Sequence, residues 1–326
     1  MIRWGILGAA RINRRLIPAL RLARRSELVA VASRDRARVE AHAREWNIAE
    51  AVHGYEALLA NPRIDAVYIP LPNSEHVSWT LAAIAAGKHV LCEKPIALTV
   101  SDIDRIAHAA ASAGVIVEEG YMYRHEPMTS RVAALVHDGA IGTLRAIVSG
   151  FTFSLTDTVN IRLRPELGGG SLWDVGCYPV SYAQFLLGHA PTMVAGMAHW
   201  TATGVDDEFT GMLRFDEGVT ASIYSGFRAG PRTWLELLGS DGSLTVPNPF
   251  KPGPEEGLEL ECGGQRDVIA VQGSPELFVR QVEDFEASVL DGRPPVVSLA
   301  ESRRTVSTLA ALYAAAREHG EKLYTH

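Results

Sequence analysis

From the start of the chain to about residue 122, short β-branched apolar runs alternate with Ala-rich runs whose apolar residues recur near helical spacing. The pattern predicts strands over 3–7, 28–32, 66–69, 89–92 and 115–118, with helices over 12–23, 36–46, 74–86 and 101–113 between them. Parallel strands need crossover helices, so this half reads as α/β, a doubly wound parallel sheet covered on both faces. Such sheets take ligands at the carboxyl ends of their strands. From about residue 140 the runs lengthen and alternate, over 143–155, 208–215, 219–227, 233–239 and 243–246. Asp216-Glu217-Gly218 and Ser240-Asp241-Gly242 have the chemistry of hairpin connections. The second half therefore reads as an α+β domain with a large, mostly antiparallel sheet, and with helices over 275–290 and 299–318. Residues 252–264, rich in Pro, Glu and Gly, read as a surface excursion. The expected division is a dinucleotide-binding domain over 1–122 and a substrate-binding, oligomer-forming domain over 123–326.

Composition narrows the class. The chain has 326 residues, 47% apolar and 21% charged, which suits two packed domains and excludes a disordered chain. Thirty-one Lys and Arg against 38 Asp and Glu leave −7, so a nucleic-acid binder held by net charge is not expected. The longest stretch free of Asp, Glu, Lys and Arg, 175–205, contains Pro179, Gln184, Gly188, His189 and Pro191 and reads as no membrane span. The first residues read as a strand and not as a secretory signal, so a cytoplasmic location is the expectation. Cys92, Cys177 and Cys262 are odd in number and far apart; they read as reduced thiols, with neither a disulfide framework nor a zinc cage.

Four segments carry candidate chemistry. The first strand runs into Gly8-Ala9-Ala10-Arg11-Ile12-Asn13, where a dinucleotide fingerprint has G-x-G-x-x-G/A, and only the first glycine is kept. A pyrophosphate on the following helix N-terminus is the reading of this turn. At the tip of the second strand, Ser33, Arg34 and Arg38 suit a 2′-phosphate through charge-assisted bonds, favouring NADP(H) over NAD(H). The alternative has Asp35 bonding an unphosphorylated ribose. In Pro70-Leu71-Pro72-Asn73-Ser74-Glu75-His76, the cofactor-facing candidates are Leu71, Asn73 and His76; the structural alternatives are a helix cap from Asn73 or Ser74 and a packed His76. Glu93 and Lys94, before Pro95, end an apolar strand where a nicotinamide edge is expected to lie. Finally, Gly168-Gly169-Gly170-Ser171 allows a sharp backbone approach, with Ser171 capping a helix on which Asp174 and Tyr178 share a face. Pro179 either kinks that helix or sits in the first turn of one starting later.

Together, the Gly8 turn, Glu93-Lys94-Pro95 and Asp174-x-Gly176-x-Tyr178 resemble the glucose-fructose oxidoreductase, inositol dehydrogenase and MocA family over nearly the whole chain. The resemblance implies a Rossmann domain followed by an α+β domain whose open sheet forms a dimer or tetramer face, with the active site in the cleft between them. Tyr178 stands where many members carry histidine, as in the branch of dimeric dihydrodiol dehydrogenases and NADP-dependent xylose dehydrogenases. That implies Tyr178 as proton acceptor or donor, Lys94 as its electrostatic helper and as a ribose or substrate hydroxyl ligand, and Asp174 as a substrate hydroxyl ligand. The physics agrees, because a phenol with a pKa of about 10 is a poor base until a nearby ammonium favours the phenolate. Arg124, Arg162 and Arg164 are candidates for the cleft, with Arg162 foremost as a substrate ligand. The implied activity is hydride transfer between nicotinamide and a hydroxyl or carbonyl carbon of a sugar or polyol. The alternatives are a trans-dihydrodiol-type dehydrogenase and a non-catalytic dinucleotide-binding regulator.

Overall fold

The computed structural model describes residues 1–318 and divides the chain into one unit of Met1–Glu126 with Ser274–Ser302, and another of Pro127–Gly273 with the chain from Arg303. In the first unit, β1 (Ile2–Leu7), α1 (Asn13–Leu22), β2 (Ser26–Ser33), α2 (Arg36–Glu45), β3 (Glu50–His53), α3 (Tyr55–Leu59), β4 (Ala66–Ile69), α4 (Asn73–Ala85), β5 (His89–Cys92), α5 (Val100–Ala113) and β6 (Val117–Glu119) follow in order. The strands pair in parallel as β3-β2-β1-β4-β5-β6. Strand order reverses between β1 and β4, the switch point where such sheets bind ligands. Every residue of β4 is buried, as a strand covered on both faces requires. Edge strand β3 and short α3 went unread, because a four-residue strand alternating half-buried and exposed positions leaves little pattern. Helix α2 is capped by the Asp35 carboxylate and α5 by the Thr99 hydroxyl. The cap expected from Asn73 or Ser74 is not there: α4 begins at Asn73 with Pro72 before it and no side-chain cap.

The second unit has α6 (Pro127–His137), β7 (Leu144–Thr152), α7 (Cys177–Leu187), β8 (Met193–Trp200), β9 (Asp206–Arg214), β10 (Thr220–Gly226), β11 (Arg232–Gly239), β12 (Gly242–Val246), β13 (Glu255–Cys262) and β14 (Gln265–Gln272). Its eight strands run β14-β13-β12-β11-β7-β10-β9-β8, all antiparallel except the β7–β10 pair. The surface excursion expected over 252–264 is corrected: most of it is β13, which hairpins into β14 at the sheet edge. Its glutamates hid an alternation in which Leu258 alone is fully buried. One face of the sheet buries Ile147, Phe209, Leu213, Ile223, Leu235 and Leu244, while Met193, Met197 and Met212 stand exposed on strands β8 and β9.

Helices α8 (Val279–Asp291) and α9 (Leu299–Glu318) are the last elements among the described residues, and α8 belongs to the first unit. Phe285 packs its ring 5.0 Å from that of Trp4, and Arg25 pairs with Asp291 at 2.8 Å. The periodicity of 279–291 marks an apolar face without naming its partner, and that partner lies in the first unit. Cys92 and Cys177 are buried free thiols and Cys262 is partly so. Among the described residues no helix is long and apolar enough to cross a membrane.

Candidate active site

In the first unit the candidates gather at the carboxyl ends of β1, β2, β4 and β5. Gly8 leaves β1 at φ +133°, and a Cβ there would meet the Leu71 side chain at 3.1 Å. Asn13, in the third glycine's place, is fully buried, and its amide donates to the Gly8 carbonyl at 2.8 Å. Ala9, Ala10 and Ile12 are half-buried along the turn and Arg11 is exposed. At the tip of β2 the Arg38 guanidinium donates to the Ala9 carbonyl at 2.7 Å, bringing that tip onto the turn. Arg34 is 68% exposed and pairs with Glu75 at 3.1 Å, while Ser33 is buried and accepts the Asp35 N–H. Asp35 is occupied as a cap by the Arg38 N–H.

After β4 and β5, His76 is fully buried with Nδ1 at 2.7 Å from the Pro95 carbonyl and Nε2 at 2.8 Å from that of Leu71. Both ring nitrogens are therefore taken by backbone. Glu93 accepts the Tyr68 hydroxyl at 2.7 Å, and the Lys94–Pro95 peptide is cis. Glu119, unread in the sequence, is buried at the end of β6 and accepts the Ile96 N–H at 2.9 Å.

In the second unit a wide π-type turn, Leu172–Gly176, leads into α7, so Pro179 falls in the first turn of a later-starting helix. Gly168 and Gly170 have φ of +75° and +124°, and a Cβ on Gly169 would run into the Arg162 and Arg164 backbone. These glycines let 168–170 fold back on 162–164, with Gly170 N–H donating to the Arg162 carbonyl at 2.9 Å. Ser171 does not cap the turn as expected. Asp206 does: its Oδ2 accepts the Leu172 N–H at 2.8 Å and the Ser171 hydroxyl at 2.7 Å, and its Oδ1 accepts the Tyr313 hydroxyl at 2.5 Å. Asp206 lies 35 residues from Ser171, so no local pattern reveals it.

That turn presents Asp174, and the first turn of α7 presents Tyr178. Arg162 Nε donates to Asp174 Oδ2 at 2.6 Å, and its guanidinium is held above its ordinary pKa by Asp174 first, with Tyr178 adding to it. The Tyr178 ring is 4% exposed, 5.4 Å from that of Phe151 and 5.3 Å from that of Phe250, with the Lys251 ammonium 4.8 Å from the Phe151 ring centre. Of the three arginine candidates, Arg162 joins this cluster. Arg124 pairs with Glu301 in the first unit, and Arg164 with Glu166 at the surface. Lys94 lies in the first unit and Tyr178 in the second.

Residues 2–121 match the oxidoreductase family with an NAD-binding Rossmann fold, and residues 129–245 match the GFO/IDH/MocA C-terminal domain. The chain belongs to the GFO/IDH/MocA oxidoreductase family. It is 38% identical to a D-xylose 1-dehydrogenase (NADP(+)) of Haloferax volcanii over 96% of this chain and 97% of that enzyme. It superposes with a TM-score of 0.91, at 30% identity, on a 3-ketoreductase from Actinomadura kijaniata in complex with NADP and TDP-benzene, covering 96% and 97% of the two chains. An aldose-aldose oxidoreductase from Caulobacter crescentus, complexed with glycerol, gives a TM-score of 0.90 at 28% identity over 98% of both.

Proposed function

We propose that the chain is an NADP(H)-dependent oxidoreductase of a sugar or related polyol, with Tyr178 as acid/base, Lys94 as its electrostatic partner, and Asp174 and Arg162 as hydroxyl ligands. The observation that carries the reading is the Arg162–Asp174–Tyr178 cluster on its glycine-built, Asp206-capped turn. Sugar hydroxyls both donate and accept, and an acid beside a guanidinium offers both roles. Relatives that act on xylose, on other aldoses, or as 3-ketoreductases with a TDP ligand support the same substrate class.

The first unit fits the cofactor. Gly8 at φ +133° opens the turn before α1, and helix N-termini favour pyrophosphate. Ser33, Arg34 and Arg38 would hold a 2′-phosphate through charge-assisted bonds, and Asp35 is already committed as a cap. NADP(H), when held there, would supply the hydride acceptor and donor for a carbinol carbon. Tyr178 takes the proton of the hydroxyl as the O–H bond breaks and the carbonyl forms, and returns it in the reverse direction. The Lys94 ammonium favours the phenolate. Asp174 accepts from a neighbouring substrate hydroxyl and Arg162 donates to one. Met193, Met197 and Met212, exposed on the open sheet, support assembly into a homodimer or homotetramer through that face.

The test is absorbance at the nicotinamide band with both cofactors against aldoses, ketosugars and cyclic diols. Turnover with NADP(H) on sugars is expected, and Tyr178→Phe should lower kcat about 10²–10⁴-fold with NADPH affinity nearly unchanged. An unimpaired Tyr178→Phe enzyme overturns the assignment, and NADPH binding without turnover on any substrate favours a regulator.

A further inference from the structure

One peptide group after Lys94 is held from both ends. Its carbonyl, that of Pro95, faces His76 Nδ1 at 2.7 Å, and its N–H, that of Ile96, donates to Glu119 Oε1 at 2.9 Å. Both side chains are buried, with exposures of 0% for His76 and 1% for Glu119. His76 Nε2 lies 2.8 Å from the Leu71 carbonyl. Burial holds the imidazole below its ordinary pKa, and a neutral ring has one N–H to give, so it donates to one of the two carbonyls. In the tautomer protonated at Nδ1, the Pro95–Ile96 peptide has a donor at its oxygen and a carboxylate at its N–H and is polarised along its length, which strengthens both bonds. Next to Lys94 in sequence, Glu93 accepts the Tyr68 hydroxyl at 2.7 Å, so Lys94 stands between two fixed neighbours.

We propose that Glu119, with His76 at the opposite end of the Pro95–Ile96 peptide, is a positioning residue for Lys94, fixing the backbone from which the ammonium projects. The proposal rests on the Tyr178–Lys94 reading above. It goes beyond that reading by assigning work to a buried carboxylate. The groups facing Glu119 are the Ile96 N–H, the Ser302 hydroxyl, the Lys94 ammonium and the Glu93 carboxylate; those facing His76 are the Pro95 and Leu71 carbonyls and Lys94. Lys94 thus acts electrostatically on both ends of the device, as expected if they hold its backbone from either side. A filler at the end of β6 needs only volume, whereas this role needs an acceptor at one point.

Two conservative variants separate reach from charge. Glu119→Gln keeps an oxygen at the Ile96 N–H and loses the charge, while Glu119→Asp keeps the charge on a shorter arm. The readout is the pH at which kcat for sugar oxidation rises as Tyr178 ionises. Lys94→Met is expected to move that midpoint up by about 1–3 pH units. Glu119→Asp should move it up by about one unit, and Glu119→Gln should not raise it. If Lys94→Met shifts the midpoint while Glu119→Asp leaves it in place, or Glu119→Gln raises it as much as Asp does, the positioning role fails and the Tyr178–Lys94 pair stands. If Lys94→Met leaves the midpoint unmoved, the pair itself fails, and the role assigned to Glu119 goes with it.

Discussion

Gly8 sets the terms of the first unit. At φ +133°, with the Leu71 side chain 3.1 Å from where a Cβ would stand, alanine there is strained by about 1–3 kcal/mol and pushes into the neighbouring segment. Gly8→Ala should therefore weaken NADPH binding about tenfold or more in a fluorescence titration, and an unchanged affinity would separate this turn from the cofactor. The glycine was legible because only the backbone demands it. Asn13 was not: by the fingerprint it is an intruder at a place for a small residue. In the structure its amide reaches back to the Gly8 carbonyl and meets His42 Nε2 at 3.0 Å, fastening the turn. That outcome hangs on one rotamer and on a partner 29 residues away, neither of which a spacing rule contains. His76 shows the same limit, since the sequence placed it beside the cofactor segment and left open what its ring nitrogens touch.

The turn that presents Asp174 and leads into α7 depends on a cap that does not adjoin it. Removing Asp206 leaves the Leu172 N–H and the Ser171 and Tyr313 hydroxyls without their acceptor in a fully buried place. Unsatisfied buried donors cost about 1–3 kcal/mol each, partly relieved by rearrangement. Asp206→Ala should destabilise the protein by about 2–4 kcal/mol in urea denaturation, while Ser171→Ala should cost about 1 kcal/mol because the Leu172 bond survives. Equal effects would show that Asp206 holds the turn through its Ser171 bond alone. The strands and helices themselves were largely legible, since their periods of two and 3.6 residues repeat in the sequence. Strand β13 was masked because glutamates occupy the exposed side of its pleat, and β8 because small residues and methionines leave no polar face to alternate against.

At the scale of the molecule, the chain returns to its first unit through Ser274–Ser302, and the pH dependence of folding records what that return buries. Ser302, on the returning segment, is one of the groups around Glu119, and Val297 N–H donates to Glu118 at 3.0 Å. Burial pushes the Glu119 carboxyl from an ordinary 4.5 up to about 7. The folded protein then keeps a proton that the unfolded chain has released, so stability falls as pH rises between those values and is level above them. A gap of that size corresponds to about 3 kcal/mol. Burial also raises Glu118, Glu126 and Asp206, and it lowers His42, His76 and His89, whose effect on stability has the opposite sign. These contributions are common to wild type and Glu119→Gln, so they cancel in the difference between the two. Chemical denaturation of both proteins should show the variant gaining on wild type from about pH 4.5 to about pH 7, by about 3 kcal/mol in all, and no further above. A difference that stays constant across that range would mean the carboxylate is ionised throughout, held by Lys94 and Ser302 more strongly than burial opposes it.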